Sequence, residues 1–249
     1  MPVDLFAIPY AGAGGTVYRP WTRHLRPAVR LHPVTLPGRG ARAAEPPARH
    51  VAAAVDAVVA QIRQTLAEGG PDDGDGYAVF GHSMGALVAY ETVRRLGASD
   101  AELPRPRLLV VSGLDAPDHL PARRPPRHEL PDSGLLDLLR DYGGTAPELL
   151  DEEVFGLFLP PLRADLRVLD TYRWAPGPPL PVPLVCYRGV DDAGMSDTGT
   201  AAWERLVTGP FATRAFAGGH FWLHEPLTVC GALLEDLPAE SERSTAAGL

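Results

Sequence analysis

Lysine is absent from the whole chain, so the 23 basic residues are all arginine, and they are outnumbered by 31 acidic ones for a formal net charge of -8. A chain with no basic surplus is not a nucleic-acid binder by default, because neutralising phosphates needs a positive face. Beside abundant alanine, proline and glycine, the missing lysine reads as a GC-rich coding bias rather than a binding device. Cysteine is scarce as well: Cys186 and Cys230 are too few for a disulfide framework, and both sit in apolar stretches where a reduced, buried thiol is the ordinary outcome. No eighteen apolar residues follow one another, and Met1 to Pro9 shows no basic leader. The expectation is a soluble, cytoplasmic, monomeric protein with no nucleic-acid or membrane partner.

What is present is enough apolar material for one large core: 45% of 249 residues are hydrophobic, a size at which three-layer α/β enzymes often form a single domain. Val3 to Pro9 reads as a buried strand that breaks into the loop Tyr10-Ala11-Gly12-Ala13-Gly14-Gly15, and Val29 to Leu36 as a second strand. Val51, Val55, Val58, Val59, Ile62 and Leu66 recur at helical spacing. Tyr77 to His82 then predicts a strand, Met84 to Leu96 a helix ending at Gly97, and Arg107 to Ser112 another strand, a β-α-β order that implies parallel pairing.

The alternation lapses between about 118 and 173, where a Pro- and Arg-rich lead-in precedes helical patterns at Leu135 to Tyr142 and Val154 to Tyr172. This stretch predicts an inserted helical lid. Regular alternation resumes with a strand at Leu184 to Arg188, a helix around Thr200 to Val207, a strand at Phe211 to Phe216 and a helix from Pro226 to Leu237. The expected unit is one domain over 1–237, with its core in about 1–117 and 174–237, followed by a disordered tail at 238–249.

Gly81-His82-Ser83-Met84-Gly85 fits G-x-S-x-G between a predicted strand and a predicted helix, the setting of the nucleophile elbow in the α/β-hydrolase fold. A serine hydroxyl needs a base within reach, itself oriented by a carboxylate, and the chain order in this fold is Ser, Asp or Glu, then His. Gly218-Gly219-His220 follows the last strand and makes His220 the expected base, ahead of His224. His82 is expected to pack rather than react. Beyond the strand at Leu184 to Arg188 stand Asp191 and Asp192; counting G-x-x-D from Gly189 favours Asp192, with Asp191 as the alternative. Backbone N–H groups of Met84 and Ala11 are the expected oxyanion donors. A phosphate-binding reading of the Ala11 to Gly15 loop fails, since no lysine exists to complete it. No metal site is expected.

Along nearly the whole chain the residues then look like one family. IPYAGAGGTVYRPW at 8–21, LPGRGAR at 36–42, GHSMGALVAYE at 81–91, LRDYGGTAPELL at 139–150, LPPLRADLRVLDTYRW at 159–174 and GGHFWL at 218–223 resemble the stand-alone type II thioesterases of polyketide and nonribosomal peptide assembly lines. The resemblance departs at Ala13, where the family's loop usually has Gly, and at Ala193 and Met195, where it usually has Pro and Val. It implies an α/β-hydrolase fold and hydrolysis of acyl groups from the phosphopantetheine arm of an acyl or peptidyl carrier protein, with no cofactor of the enzyme's own. It carries over onto Ser83, Asp192 and His220. Tyr10, Phe155, Phe158, Tyr172 and Phe221 are candidates to line an acyl chamber, and Arg39, Arg123, Arg124 and Arg127 to meet an acidic carrier. The residues leave open a general carboxylesterase, a type I chain-releasing domain and a non-catalytic binding module.

Overall fold

A computed structural model describes residues 2–68, 76–99, 103–121, 125–143 and 152–237. Arg123, Arg124 and the stretch 238–249 therefore lie outside the described residues. Six strands, β1 (Val3–Ile8), β2 (Val29–Pro33), β3 (Tyr77–His82), β4 (Leu108–Ser112), β5 (Leu184–Gly189) and β6 (Phe211–Phe216), form one sheet in the order β2-β1-β3-β4-β5-β6. Every pairing is parallel. The helices of the described residues are α1 (Thr22–Leu25), α2 (Val51–Glu68), α3 (Met84–Ser99), α4 (Asp132–Tyr142), α5 (Glu152–Thr171), α6 (Asp197–Ala201) and α7 (Pro226–Asp236).

The central strands read as continuous apolar runs because both of their faces are covered. Successive side chains alternate between two cores: Phe6, Ile8, Val79, Leu109 and Val111 pack with Val55, Val58 and Ile62 of α2 and Val88 of α3. Leu5, Ala7, Ala78, Phe80, Leu108 and Val110 pack with Tyr18, Trp21, Leu25 and with Val229 and Leu233 of α7. A third, smaller cluster of Leu135, Leu136, Phe155, Leu162 and Leu166 joins α4 to α5, which both belong to the segment between β4 and β5. Pro160 and Pro161 lie within α5 and remove two backbone donors, so that helix is held by this packing more than by its own ladder.

Several boundaries shift from the sequence expectation for identifiable reasons. β2 stops at Pro33 rather than Leu36, and Val34 N–H instead donates to Ala7 O at 2.9 Å as the chain leaves the sheet. α3 runs through Gly97 to Ser99, since a single glycine weakens a packed helix without ending it. The helix expected at Thr200 to Val207 begins earlier, at Asp197, where Ser196 Oγ accepts the Gly199 N–H at 2.9 Å as an N-cap; it tightens into a 3₁₀ turn over Ala202–Leu206.

What the topology decides is the location of the site. From β1 the chain moves outward to β2, then returns to β3 on β1's other side and continues outward through β6. The carboxyl ends of β1 and β3, from which connections leave in opposite directions, form the crevice where open α/β sheets place their ligands.

Candidate active site

Ser83 follows β3 directly at that crevice, and it has φ 54°, the one positive φ at a non-glycine among the described residues. Such a conformation persists only where the surroundings enforce it. Two glycines do so here. A Cβ on Gly81 would lie 2.0 Å from Gly85 O, and a Cβ on Gly85 would lie 2.3 Å from Ile8 O and 2.7 Å from Pro9 O. The elbow is thus folded on itself and pressed against the end of β1, with Ser83 N–H donating to Ser112 O at 2.7 Å. Gly85→Ala is expected to destabilise the protein by about 3 kcal/mol or more, because the atoms in the way are backbone and cannot swing aside. A melting temperature roughly 6–12 °C below wild type is the expected reading, and an unchanged one would show that the elbow tolerates a side chain.

The other members arrive from the far edge. β5 and β6 pair to their last residues, Gly189 opposite Phe216, and the loops beyond stay zipped: Val190 N–H donates to Phe216 O at 2.8 Å and Asp191 N–H to Gly218 O at 3.0 Å. Backbone approach is so close that a Cβ on Gly189 would lie 2.3 Å from Gly219 O. This pairing carries Asp192 to His220, whose Nδ1 is 2.8 Å from Asp192 Oδ2. A carboxylate only accepts, so Nδ1 donates to it, and in the neutral ring Nε2 is the acceptor. Asp192 is buried at 7% exposure, and its Oδ1 accepts the Gly194 N–H at 2.9 Å. Asp191, next to it, is exposed.

His224 faces elsewhere, with Nε2 hydrogen-bonded to Tyr10 Oη at 3.1 Å. His82 is fully buried with Nδ1 on Ser112 Oγ at 2.9 Å, and burial, reinforced by His220 and His224, holds its pKa well below the ordinary histidine value. It is a packed neutral ring under the site. Burial likewise pushes the thiols of Cys186 and Cys230 up to about 12, which leaves neither as a thiolate at neutral pH.

Ser83, His220, Tyr10 and Ala11 share a cavity of about 40 Å³ with Arg127 and Phe221, roofed by Leu138, Leu139 and Tyr142 of α4 and Leu162, Leu166 and Leu169 of α5. Tyr142 lies against the base itself, its ring 5.0 Å from that of His220. Nothing in the sequence pattern signalled this contact. A larger groove of about 450 Å³ runs between α2, α3 and the Gly177–Pro181 stretch, and no candidate residue lines it.

Of the five aromatic residues that were candidates for the chamber, with plain core as the commoner role, Tyr10 and Phe221 line it. Phe155 is instead in the α4–α5 cluster, Phe158 is 42% exposed, and Tyr172 donates to Glu91 Oε1 at 2.7 Å. Arg39, expected as a surface cation, is buried at 7% exposure in an ion pair with Asp165; a guanidinium enters a core only with such a partner. Arg127 is likewise tied to Asp170, at 2.8 Å.

At Ala11 the loop after β1 turns sharply, Ala13 N–H donating to Tyr10 O at 3.1 Å with Gly12 at φ 80°. Met84, as the first residue of α3, has an N–H with no acceptor inside its helix. Gly85's contact with Ile8 and Pro9 brings these two backbone segments together beside Ser83.

A parallel sheet with helices on both faces, a strained serine after a central strand and a helical segment between β4 and β5 describe an α/β-hydrolase. A family model for the thioesterase domain matches residues 3–239, and the chain belongs to that family: it is a thioester hydrolase. It is 36% identical to the thioesterase PikA5 of Streptomyces venezuelae over 224 residues, 90% of this chain and 76% of the relative. The solved structure of RedJ, a thioesterase from the prodiginine biosynthetic pathway in Streptomyces coelicolor, aligns at a TM-score of 0.84 and 36% identity, covering 93% of this chain and 89% of that one. The type II thioesterase BorB from the borrelidin biosynthetic cluster aligns at 0.82 and 33% identity, with 94% of each chain covered. No helix among the described residues is long and apolar enough to cross a membrane.

Proposed function

We propose that this enzyme removes acyl groups from the phosphopantetheine arm of acyl or peptidyl carrier proteins, clearing stalled or wrong units from a polyketide or nonribosomal peptide synthase. In this reading Ser83 is the nucleophile, His220 the base, Asp192 the carboxylate that orients it, and the N–H groups of Ala11 and Met84 the oxyanion donors. The enzyme supplies no metal or cofactor; the pantetheine thiol belongs to the partner.

The observation that carries the reading is that His220, held by Asp192 at 2.8 Å, shares one cavity with Ser83 under a roof of leucines. His220 Nε2 takes the Ser83 hydroxyl proton as Oγ bonds to the thioester carbonyl carbon. The tetrahedral oxyanion is held by the two N–H groups; it collapses with cleavage of the C–S bond, and His220 returns the proton to the departing thiolate. Water, deprotonated by the same imidazole, then attacks the acyl-enzyme; the carboxylic acid leaves and Ser83 regains its proton. The two proton-accepting steps need a free Nε2 lone pair, and the Asp192 contact keeps the ring's other proton on Nδ1 and stabilises the imidazolium that forms between them. The leucine roof favours apolar acyl groups and acts as the lid over the chamber.

The test is hydrolysis of acyl groups from holo-carrier proteins followed by intact mass, beside p-nitrophenyl esters of the same acids. A kcat/KM for the carrier-bound acyl at least tenfold above the oxygen ester is expected; preference for the oxygen ester would assign a general carboxylesterase instead.

A further inference from the structure

Arg39 and Asp165 are 126 positions apart, yet they make a bidentate pair in the interior, Nη1 to Oδ2 at 2.6 Å and Nη2 to Oδ1 at 2.7 Å. Their exposures are 7% and 1%. Ion pairs this deep are weak stabilisers, because desolvating both charges offsets most of their attraction. Burial alone raises the Asp165 pKa, against the opposing pull of Arg39 and of the Gly12 N–H. Their placement asks for an explanation other than stability.

Both partners also grip the loop after β1. Gly12 N–H donates to Asp165 Oδ2 at 2.8 Å, and Arg39 Nη1 donates to Ala13 O at 2.9 Å. The loop there is a turn closed from Ala13 N–H to Tyr10 O, with Gly12 in the third position at φ 80°, the type II pattern. In such a turn the N–H groups of the two central residues, Ala11 and Gly12, have no partner within the turn. Asp165 takes the second; the first belongs to Ala11, which lines the cavity with Ser83. The helix that carries Asp165 is also in close contact with the turn: a Cβ on Gly12 would lie 3.1 Å from Leu162 Cδ1.

We infer that Asp165, held by Arg39, is a positioning residue for the reaction: by accepting the Gly12 N–H it fixes the turn so that Ala11 N–H meets the oxyanion. α5 is then part of the catalytic apparatus as well as of the roof. The inference rests on the proposed oxyanion role of Ala11, and acts in the transition state, where charge reaches the carbonyl oxygen.

Two double variants separate this role from mere packing. Arg39→Met with Asp165→Asn removes both charges but keeps a carbonyl acceptor for Gly12; Arg39→Met with Asp165→Leu removes the acceptor too. With an acyl-N-acetylcysteamine substrate, the Leu variant is expected to lose about 30-fold or more in kcat at a KM within threefold of wild type, a fraction of what deleting an oxyanion donor costs. The Asn variant is expected to stay within about fivefold of wild type in kcat. Inhibition by a trifluoromethyl ketone, whose adduct needs the same donors, is expected to weaken in parallel with kcat/KM. Equal kcat in the two double variants, whether high or low, overturns the inference. Wild-type amide exchange offers a reading without substitutions: Gly12 is expected to exchange at least tenfold more slowly than Ala11, and equal rates would also overturn it. Ser83→Ala in the same assay tells the two failures apart. If it remains active the catalytic reading has failed, whereas if it is inactive while both double variants match wild type, only the brace has.

Discussion

Ser83→Ala is expected to lower kcat on an acyl thioester by about 10³- to 10⁶-fold while leaving the protein folded. The spread reflects how much a site with intact donors and binding surface still achieves using water alone. The substitution removes one oxygen from a position whose backbone is enforced by Gly81 and Gly85 rather than by the hydroxyl, so the elbow is retained. Two readouts are needed together. Turnover measures the loss, and intact mass measures whether an acyl group still accumulates on the enzyme during reaction with a slow substrate. A wild-type adduct that persists in the variant would move the nucleophile elsewhere. A variant that turns over at the wild-type rate with no adduct in either protein would replace covalent catalysis with direct attack by water.

The second large effect is expected at Asp192. Its two oxygens have separate duties, Oδ2 toward His220 Nδ1 and Oδ1 toward the Gly194 N–H. In Asp192→Asn the carbonyl oxygen can satisfy one donor. If it keeps Gly194, the amide NH₂ is left facing Nδ1 and forces the imidazole proton onto Nε2, where it cannot accept from serine. The expected loss is about 10³- to 10⁴-fold in kcat with little change in KM. Asp191→Asn is expected to change kcat by less than about threefold, because that side chain is exposed and the bond that the residue makes to Gly218 O is from its backbone N–H. Damage confined to the Asp191 variant would reverse the assignment.

The contrast between these neighbours shows where sequence reasoning reaches its limit. Ser83 was legible because the chemistry of the elbow imposes small residues at fixed offsets, and the strand and helix around it follow from hydrophobic periodicity. The fold was legible for the same reason: strands buried on both faces cannot conceal their composition. The preference between Asp191 and Asp192 depended on spacing alone, and what separates the two in three dimensions is a zipper of backbone bonds between the loops after β5 and β6, which no side chain encodes. Arg39 was misread as a surface cation because its partner lies 126 residues away on α5; a buried charge pair has no local signature. The contact of Tyr142 with His220 was missed for the same reason, since it depends on how α4 settles over the sheet.

The cavity beside Ser83 is about 40 Å³, and Leu138, Leu139, Leu162, Leu166 and Leu169 of α4 and α5 lie along it. On the proposed function, an acyl chain is admitted by conformers in which the leucines of α4 and α5 have moved aside. Apparent affinity is then the intrinsic affinity multiplied by the fraction of molecules in that open form. The cost falls on all acyl groups at entry, before any of them is recognised. Where such conformers are rare, an intermediate that its synthase hands on quickly leaves before one forms, and a stalled one waits for it. Selection between them would then follow from residence time rather than from recognition.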